Sequence, residues 1–267
     1  MSLSTSGDAL RAAAQRIDRL DAEVLLAHAL GVPRLQMLLD PDVRVPPEFE
    51  GLVYRRALGE PVAYITGTRE FWSLDLHVTS DVLIPRPDTE TLIEAAIAHF
   101  GDRPPARILD LGTGSGALLL AALSVWHTAR GVGIDASPAA LAVAAANAGR
   151  LGFADRATFA AGDWTGDGGF YDLILCNPPY VATTEALPRD VADWEPHAAL
   201  FAGPNGLDDY ARIAPVLGDQ LGASGVACIE IGAAQAVGVT ALLETQGLTV
   251  RLRHDLAGLP RCLVVTK

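Results

Sequence analysis

The chain has 267 residues, half of them hydrophobic and 19% charged, with 32 acidic against 20 basic side chains and a formal charge of −12. That composition belongs to a folded globular protein and excludes an extended disordered chain. Acidity on this scale repels phosphate backbones and argues against broad nucleic-acid binding. The excess sits mainly in residues 81–267, with 21 acidic and 12 basic side chains, and Lys267 is the only lysine. No apolar run approaches the ~18 residues of a membrane-spanning helix, and the N-terminus lacks a signal-peptide pattern. Cys176, Cys228 and Cys262 are odd in number and widely spaced, and read as buried thiols in a reducing compartment. A soluble, cytoplasmic protein is expected.

In chain order, Asp21–Leu30 places apolar residues on one face, begins at an acidic cap and stops at Gly31, which predicts a helix. A second helix follows Pro33 through Leu35, Met37, Leu38 and Leu39, and a third runs from about Pro47 to Gly59. These make residues 1–67 a small helical domain. Leu74, Leu76 and Val78 alternate with Asp75, His77 and Thr79, which with Phe71 and Trp72 predicts a β-hairpin linker over 68–84. Ile84-Pro85-Arg86-Pro87-Asp88 forbids regular structure at its prolines. Asp88 is placed to cap a helix over Thr89–Phe100.

Residues 85–267 then alternate strands and helices. Strands are expected at Ile108–Leu111, Gly131–Ile134, Ala157–Ala160, Leu173–Cys176 and Val226–Ile231, with helices at Gly116–Ala129, Pro138–Gly149 and Ala234–Thr245. Thr249–Leu252 and Cys262–Val265 form a closing pair. The alternation predicts an α/β, doubly wound, Rossmann-like domain with ligands beyond the carboxyl ends of its strands.

Asp110-Leu111-Gly112-Thr113-Gly114-Ser115-Gly116 joins the first of these strands to a helix. Residues without Cβ let the backbone turn sharply and approach a ligand closely. About 20 residues on, Asp135 ends the next strand, where a carboxylate can accept both ribose hydroxyls. An adenosine-containing ligand is favoured. Because Gly112, Gly114 and Ala117 also satisfy G-x-G-x-x-G/A, a nicotinamide enzyme stays open at this point.

Strand Leu173–Cys176 runs into Asn177-Pro178-Pro179-Tyr180. The two prolines lack backbone donors and fix φ, leaving carbonyls free to accept, and Asn177 adds a side-chain acceptor. With an aromatic ring at Tyr180, this is a rigid acceptor array for a planar NH₂ group. An amide nitrogen is a weak nucleophile, so positioning must carry much of its catalysis. A sulfonium methyl donor is a suitable electrophile and needs no metal. The combination resembles class I S-adenosylmethionine-dependent methyltransferases acting on exocyclic or amide nitrogens.

Further segments narrow the resemblance. Glu60–Gly67, Arg69-Glu70-Phe71-Trp72-Ser73-Leu74 and Leu83-Ile84-Pro85-Arg86-Pro87-Asp88-Thr89-Glu90 are similar to the central block of the release-factor glutamine methyltransferases (the PrmC/HemK family). Asp163-Trp164, Glu195-Pro196 and Asp255-Leu256-Ala257-Gly258 followed by Arg261 also sit where that family has them. The resemblance covers nearly the whole chain from Ala9.

It implies an enzyme that methylates the side-chain amide of the glutamine in the Gly-Gly-Gln motif of class I peptide chain release factors. The implied architecture is a helical substrate-recognition domain, a hairpin linker and a seven-stranded methyltransferase domain. Gly112, Thr113, Gly114, Ser115 and Gly116 would cradle the methionine part of S-adenosylmethionine, Asp135 would hold ribose, and Asp163 and Trp164 would border adenine. Asn177 and the Pro178 carbonyl would orient the substrate amide, with Pro179, Tyr180 and Phe71 around it.

Arg86 has two readings, neutralising charge near the substrate or bracing a junction. Asp163 also has two, shaping the adenine pocket or serving as a solvated loop carboxylate. Glu195 is read as orienting the active-site loop, with a general-base role the weaker alternative. The six histidines share no spacing, so no catalytic histidine and no metal are expected. The expected partners are release factors, with neither nucleic acid nor membrane, and the expected state is a monomer. The competing readings are a nucleic-acid adenine methyltransferase, which shares Asn-Pro-Pro-Tyr but needs a positive groove, and a non-catalytic release-factor or ribosome-binding module of the same fold.

Overall fold

The computed structural model describes residues 5–40 and 43–267. The chain divides into two compact units, Met1–Thr68 with Leu187–Trp194, and Arg69–Ala186 with Glu195–Lys267.

The first unit holds helices α1 (Ser6–Ala13), α2 (Arg19–Leu30), α3 (Arg34–Leu39), α4 (Phe49–Ala57) and α5 (Val62–Thr66). Side-chain caps start the first two: Thr5 accepts from the Asp8 amide, and Asp18 from the Leu20 amide at 2.7 Å. The acidic cap of α2 is therefore Asp18 and not Asp21, and the helix begins two residues ahead of the expected start. Gly31 ends it at φ 66°, a left-handed conformation that costs glycine nothing. Leu10, Leu25, Leu26, Met37, Phe49, Val53 and Ile65 meet in the core of this unit. The returning segment 187–194 is held to it by charge. The Arg56 guanidinium lies 2.6 Å from Asp21 and 3.7 Å from Asp190.

The second unit opens with a hairpin, β1 (Thr68–Phe71) and β2 (Leu74–His77). Its two turn residues, Trp72 and Ser73, both have positive φ (52° and 59°), the geometry that matches the twist of paired strands. Carboxylates pin that turn: Glu90 accepts from the Trp72 amide at 2.8 Å and Glu70 from the Ser73 amide at 2.5 Å.

Next come α6 (Glu90–Phe100), β3 (Arg107–Leu111), α7 (Ala117–Val125), β4 (Arg130–Asp135), α8 (Pro138–Arg150), β5 (Ala157–Ala161) and β6 (Tyr171–Cys176). They are followed by α9 (Arg189–Ala192) of the returning segment, α10 (Asp208–Gln220), β7 (Leu221–Glu230), α11 (Ala236–Glu244), β8 (Thr249–His254) and β9 (Pro260–Thr266). Asp88 does not cap α6. A 3₁₀ turn over Pro87–Thr89 places Thr89 at the cap position without a side-chain cap bond, and Asp88 instead pairs with Arg261 at 3.3 Å. Helix α7 is shorter than the expected Gly116–Ala129, because Trp126 leaves the helix with an extended backbone. Helix α10 has no counterpart in the sequence reading, and Pro215 inside it is the breaker that hides it.

The seven-stranded sheet has the order β5-β4-β3-β6-β7-β9-β8. All neighbours are parallel except β9, which runs antiparallel to both β7 and β8. Alternation sorts the central strands onto two faces. Ile108, Leu173, Leu175, Val226 and Cys228 face one core, while Leu109, Leu111, Ile174, Cys176, Ala227 and Ile229 face the other. All three cysteines are buried free thiols. The strand order reverses between β3 and β6, which opens a crevice at their carboxyl ends. Among the described residues, no helix is long and apolar enough to cross a membrane, and no group of three or more His, Cys, Asp or Glu could hold a metal ion.

Two glycines on this framework should respond oppositely to alanine. At Gly131 in β4 a Cβ would overlap Leu119 Cδ1, whereas at Gly149 in α8 it would meet nothing within 4 Å. Gly131→Ala is expected to lose on the order of 1–3 kcal/mol through overpacking, and Gly149→Ala to gain about 0.5–1 kcal/mol through helix propensity. Chemical denaturation midpoints of the two variants check both signs.

Candidate active site

The glycine turn leaves β3 and enters α7 with Gly112, Gly114 and Gly116 at φ 71°, 54° and 83°. The amides of Gly112 and Thr113 both donate to the Ile134 carbonyl at 2.9 Å, which binds the turn to the end of β4. Gly116 packs against Ala144, with a would-be Cβ 3.3 Å from its methyl carbon. Asp110 fastens the turn from beneath: its Oδ2 accepts from Thr113 Oγ1 at 2.6 Å and from the Leu119 amide at 3.2 Å. Its Oδ1 is buried and has no hydrogen-bond partner among the described residues. Burial is the main reason the Asp110 carboxyl is pushed up to about 7, against the lowering effect of those two donors.

Asp135, at the end of β4, receives the Gly114 amide on Oδ2 and the Ser137 amide on Oδ1, both at 2.9 Å. Each oxygen keeps a further lone pair for a hydroxyl. The Trp164 ring lies 3.3 Å from where a Gly112 Cβ would stand, so the missing Cβ is what lets the indole close on the turn. The indole N–H donates to Asp209 at 3.0 Å, and the Trp164 carbonyl accepts from Gln220 at 2.9 Å. Asp163 is exposed and accepts from the Thr165 amide and hydroxyl, which hold its carboxyl below the usual range.

Gly112, Thr113, Gly114, Ser115, Asp135, Asp163, Trp164, Asn177 and Pro179 line one cleft of ≈ 690 Å³. Asp163 is a solvated loop carboxylate on the rim of this cleft. The remaining sequence candidates stand off the cleft wall. Gly116 lies beneath the turn, and Pro178 is buried. The Tyr180 hydroxyl turns inward to Glu230 at 3.2 Å. Phe71 is 1% exposed in the core of the second unit beside Leu76 and Leu92, so its side chain cannot enclose a ligand in the cleft. Arg86 donates to Glu195 at 2.5 Å, and Glu195, itself 4% exposed, also accepts from the Ile84 amide at 3.2 Å. That pair braces the 84–86 segment against Pro196, the next residue of the cleft wall.

Several residues that shape the site were not singled out in the sequence. Asn147 is wholly buried and fully bonded: it exchanges hydrogen bonds with the backbone of His77 and donates to the Ser115 carbonyl at 2.9 Å, tying hairpin to glycine turn. Thr89 and Asp209 also line the cleft. Glu230 ends β7, and its place at the carboxyl end of a strand was the available signal. Asp209 had none, because α10 was hidden. The donor set fits a nucleoside with a cationic tail: a carboxylate for a diol, an indole face for a base, and an unpartnered buried oxygen for positive charge. S-adenosylmethionine has these features.

The comparisons agree. Residues 3–67 match the family described as PrmC N-terminal domain, and residues 103–199 match a methyltransferase domain. The release factor glutamine methyltransferase of Rhodospirillum rubrum is 43% identical over 266 residues, covering 97% of this chain and 82% of that protein. The protein of the same name from Cereibacter sphaeroides is 44% identical over 271 residues, covering 96% of each. Among solved structures, the hMettl16 catalytic domain in complex with MAT2A 3′UTR hairpin 1 superposes with a TM-score of 0.59 at 17% identity, covering 84% of this chain and 83% of that one. The ribosomal protein L11 methylase of Lactobacillus delbrueckii subsp. bulgaricus gives 0.50 at 20%, covering 68% and 80%. At such identities these two likenesses speak to the fold alone.

The unpartnered Asp110 oxygen leads to an expected pH dependence of cofactor binding. Its charged form favours a cation, so affinity for S-adenosylmethionine should be full well above pH 7 and fall as pH drops through about 7. Asp110→Asn should flatten that profile and weaken binding at pH 8 by at least about tenfold, the loss of one charge-assisted hydrogen bond. Calorimetric titration across pH measures both.

Proposed function

This chain belongs to the release factor glutamine methyltransferase family and is an S-adenosylmethionine-dependent methyltransferase; on that premise we propose that it methylates the side-chain amide of the glutamine in the Gly-Gly-Gln motif of class I release factors. The observation that carries the reading is the placement of Asn177 on the cleft wall at the end of β6, one strand from the glycine turn. Its Nδ2 donates to Thr89 Oγ1 at 3.4 Å, which leaves Oδ1 as the acceptor for a substrate N–H.

In this reading Asn177 Oδ1, on the cleft wall, takes one hydrogen of the primary amide, the Pro178 ring is buried and offers only its carbonyl for the second, and Pro178-Pro179 hold the acceptors rigid. The fixed geometry presents the nitrogen to the methyl group and offsets its weak nucleophilicity by orientation. When bound, S-adenosylmethionine supplies a sulfonium methyl that moves to nitrogen as the C–S bond breaks to a neutral thioether, and the amide then loses one proton to water. Asp135 would hold the ribose hydroxyls, Trp164 would lie against adenine, and Gly112–Ser115 would receive the methionine part. The 81–267 region, acidic throughout its composition, suits a protein substrate with a basic docking face better than a phosphate backbone.

The test is methyl transfer from labelled S-adenosylmethionine to purified release factor. Asn177→Ala is expected to lose on the order of 10²–10³ in kcat, the scale for removing one preorganised group that orients the reacting atom, with cofactor affinity within about threefold of the native value. Mass spectrometry should place the methyl on the Gly-Gly-Gln glutamine. Transfer that survives replacement of that glutamine would exclude the assigned target.

A further inference from the structure

The acceptor run Asn177-Pro178-Pro179-Tyr180 grows out of β6, where Cys176 stands in register with Leu111 on β3 and Ile229 on β7. That anchors its near end. Two prolines stiffen the run, but a stiff segment still pivots as one piece unless its far end is held as well. Tyr180 is that far end, and it is held at three points. Its amide donates to the Leu200 carbonyl at 3.2 Å, its hydroxyl to Glu230 at 3.2 Å, and its carbonyl accepts from Gln235 Nε2 at 2.9 Å.

Gln235 spends its whole side-chain amide on this place. The second partner of Nε2 is the Gly206 carbonyl at 3.1 Å, and Oε1 accepts from the Gly232 amide at 3.0 Å. Two carbonyls on one side and one N–H on the other fix which end of the amide is which. The Gln235 main-chain amide donates back to the Gly232 carbonyl at 2.9 Å, so the side chain springs from a closed turn between β7 and α11. Missing Cβ atoms make the room. At Gly206, φ 68°, a Cβ would overlap the Tyr180 carbonyl oxygen and lie 2.8 Å from Gln235 Nε2. At Gly232 it would lie 2.9 Å from Gln235 Oε1.

The segment that ends at Gly206 is itself cleft wall. The Val181 amide donates to the Leu200 carbonyl at 2.9 Å, the Ala202 amide to the Val181 carbonyl at 3.0 Å, and the Thr183 amide to the Gly203 carbonyl at 2.9 Å. Phe201, inside this zipper, lines the cleft, whereas Gln235 stands outside the lining. Gln235 therefore ties the acceptor run and the facing wall segment to the same turn after β7 without touching a ligand.

Resting on the reading that a primary amide is methylated here, we propose that Gln235 is a positioning residue: by clamping the Tyr180 and Gly206 carbonyls it fixes the far end of the acceptor run and holds Asn177 Oδ1 and the Pro178 carbonyl in line with the reacting nitrogen. A misplacement of about 1 Å at a reacting group costs on the order of 10²-fold in rate, so the clamp acts on kcat. The glycine turn and Asp135 are fastened by Asp110 and the Ile134 carbonyl, with no bond to Gln235, so cofactor affinity is spared.

The experiment is release-factor methylation with labelled S-adenosylmethionine, giving kcat and KM for the release factor, and calorimetric cofactor affinity for each variant. Gln235→Met keeps the length and removes all three side-chain hydrogen bonds. It should lower kcat by at least about tenfold, with KM and cofactor affinity each within about threefold of native. Gln235→Glu keeps an acceptor for the Gly232 amide but sets oxygen against the two carbonyls, and should lower kcat at least as far. A native kcat in either variant overturns the clamp. So does a loss confined to KM, which makes Gln235 a docking residue, or a parallel loss of cofactor affinity, which makes it a general support of the fold. Full-rate methylation by Asn177→Ala would instead remove the amide-orienting reading itself, which keeps the two failures apart.

Discussion

Asp110 fixes where the rest of the site can stand. It is the last but one residue of β3, 1% exposed, and it grips the glycine turn and the first turn of α7 with one carboxylate oxygen. Burying a carboxylate is costly unless it is bonded, and here its second oxygen is buried without a partner in a residue that lines the cleft. The result is a turn held rigidly, with a carboxyl beside the cleft whose charge develops above about pH 7. The affinity for a charged ligand is built into the support of the loop that receives it.

The remaining walls are set by similar ties at longer range. Gly133 has no Cβ where one would lie 2.7 Å from Thr113 Oγ1, so β4 comes close enough for Asp135 to reach the Gly114 amide. Asn147 joins the hairpin to the same turn through His77 and Ser115, and orphaning those buried groups would cost about 1–3 kcal/mol each. Glu195 gathers the Ile84 amide and Arg86, and Asp209 steers the Trp164 indole. Each tie is a buried polar side chain with specified partners, which fixes geometry more sharply than apolar packing does.

On the other side of the cleft, Glu230 stands behind Tyr180, whose hydroxyl donates to it at 3.2 Å, and Thr89 accepts from Asn177 at 3.4 Å. Both carboxyls displaced upward by burial, Asp110 and Glu230, thus stand behind a binding surface rather than on a reacting atom. For the amide methylation proposed above, preorganisation by buried charge is the expected device.

The sequence by itself determined the elements whose reason is local. The glycines at 112, 114 and 116 mark left-handed backbone, Asp135 marks a strand end, and Asn177-Pro178-Pro179 marks a rigid acceptor run. Strand and helix alternation gave the doubly wound sheet. Local signals failed where the cause lies elsewhere in the chain. Asp88 pairs with Arg261 on β9 instead of capping α6, Phe71 packs into the core instead of facing a ligand, and Pro215 concealed α10 and with it Asp209. The return of residues 187–194 to the first unit has no sequence marker, because its contacts, such as Asp190 with Arg56 and Trp194 beside Gly59, join residues far apart in the chain. Only the tertiary structure decided which carboxylates are buried, which buried oxygens lack partners, and that Asn177 meets Thr89, because burial and hydrogen-bond partners are properties of distant residues brought together.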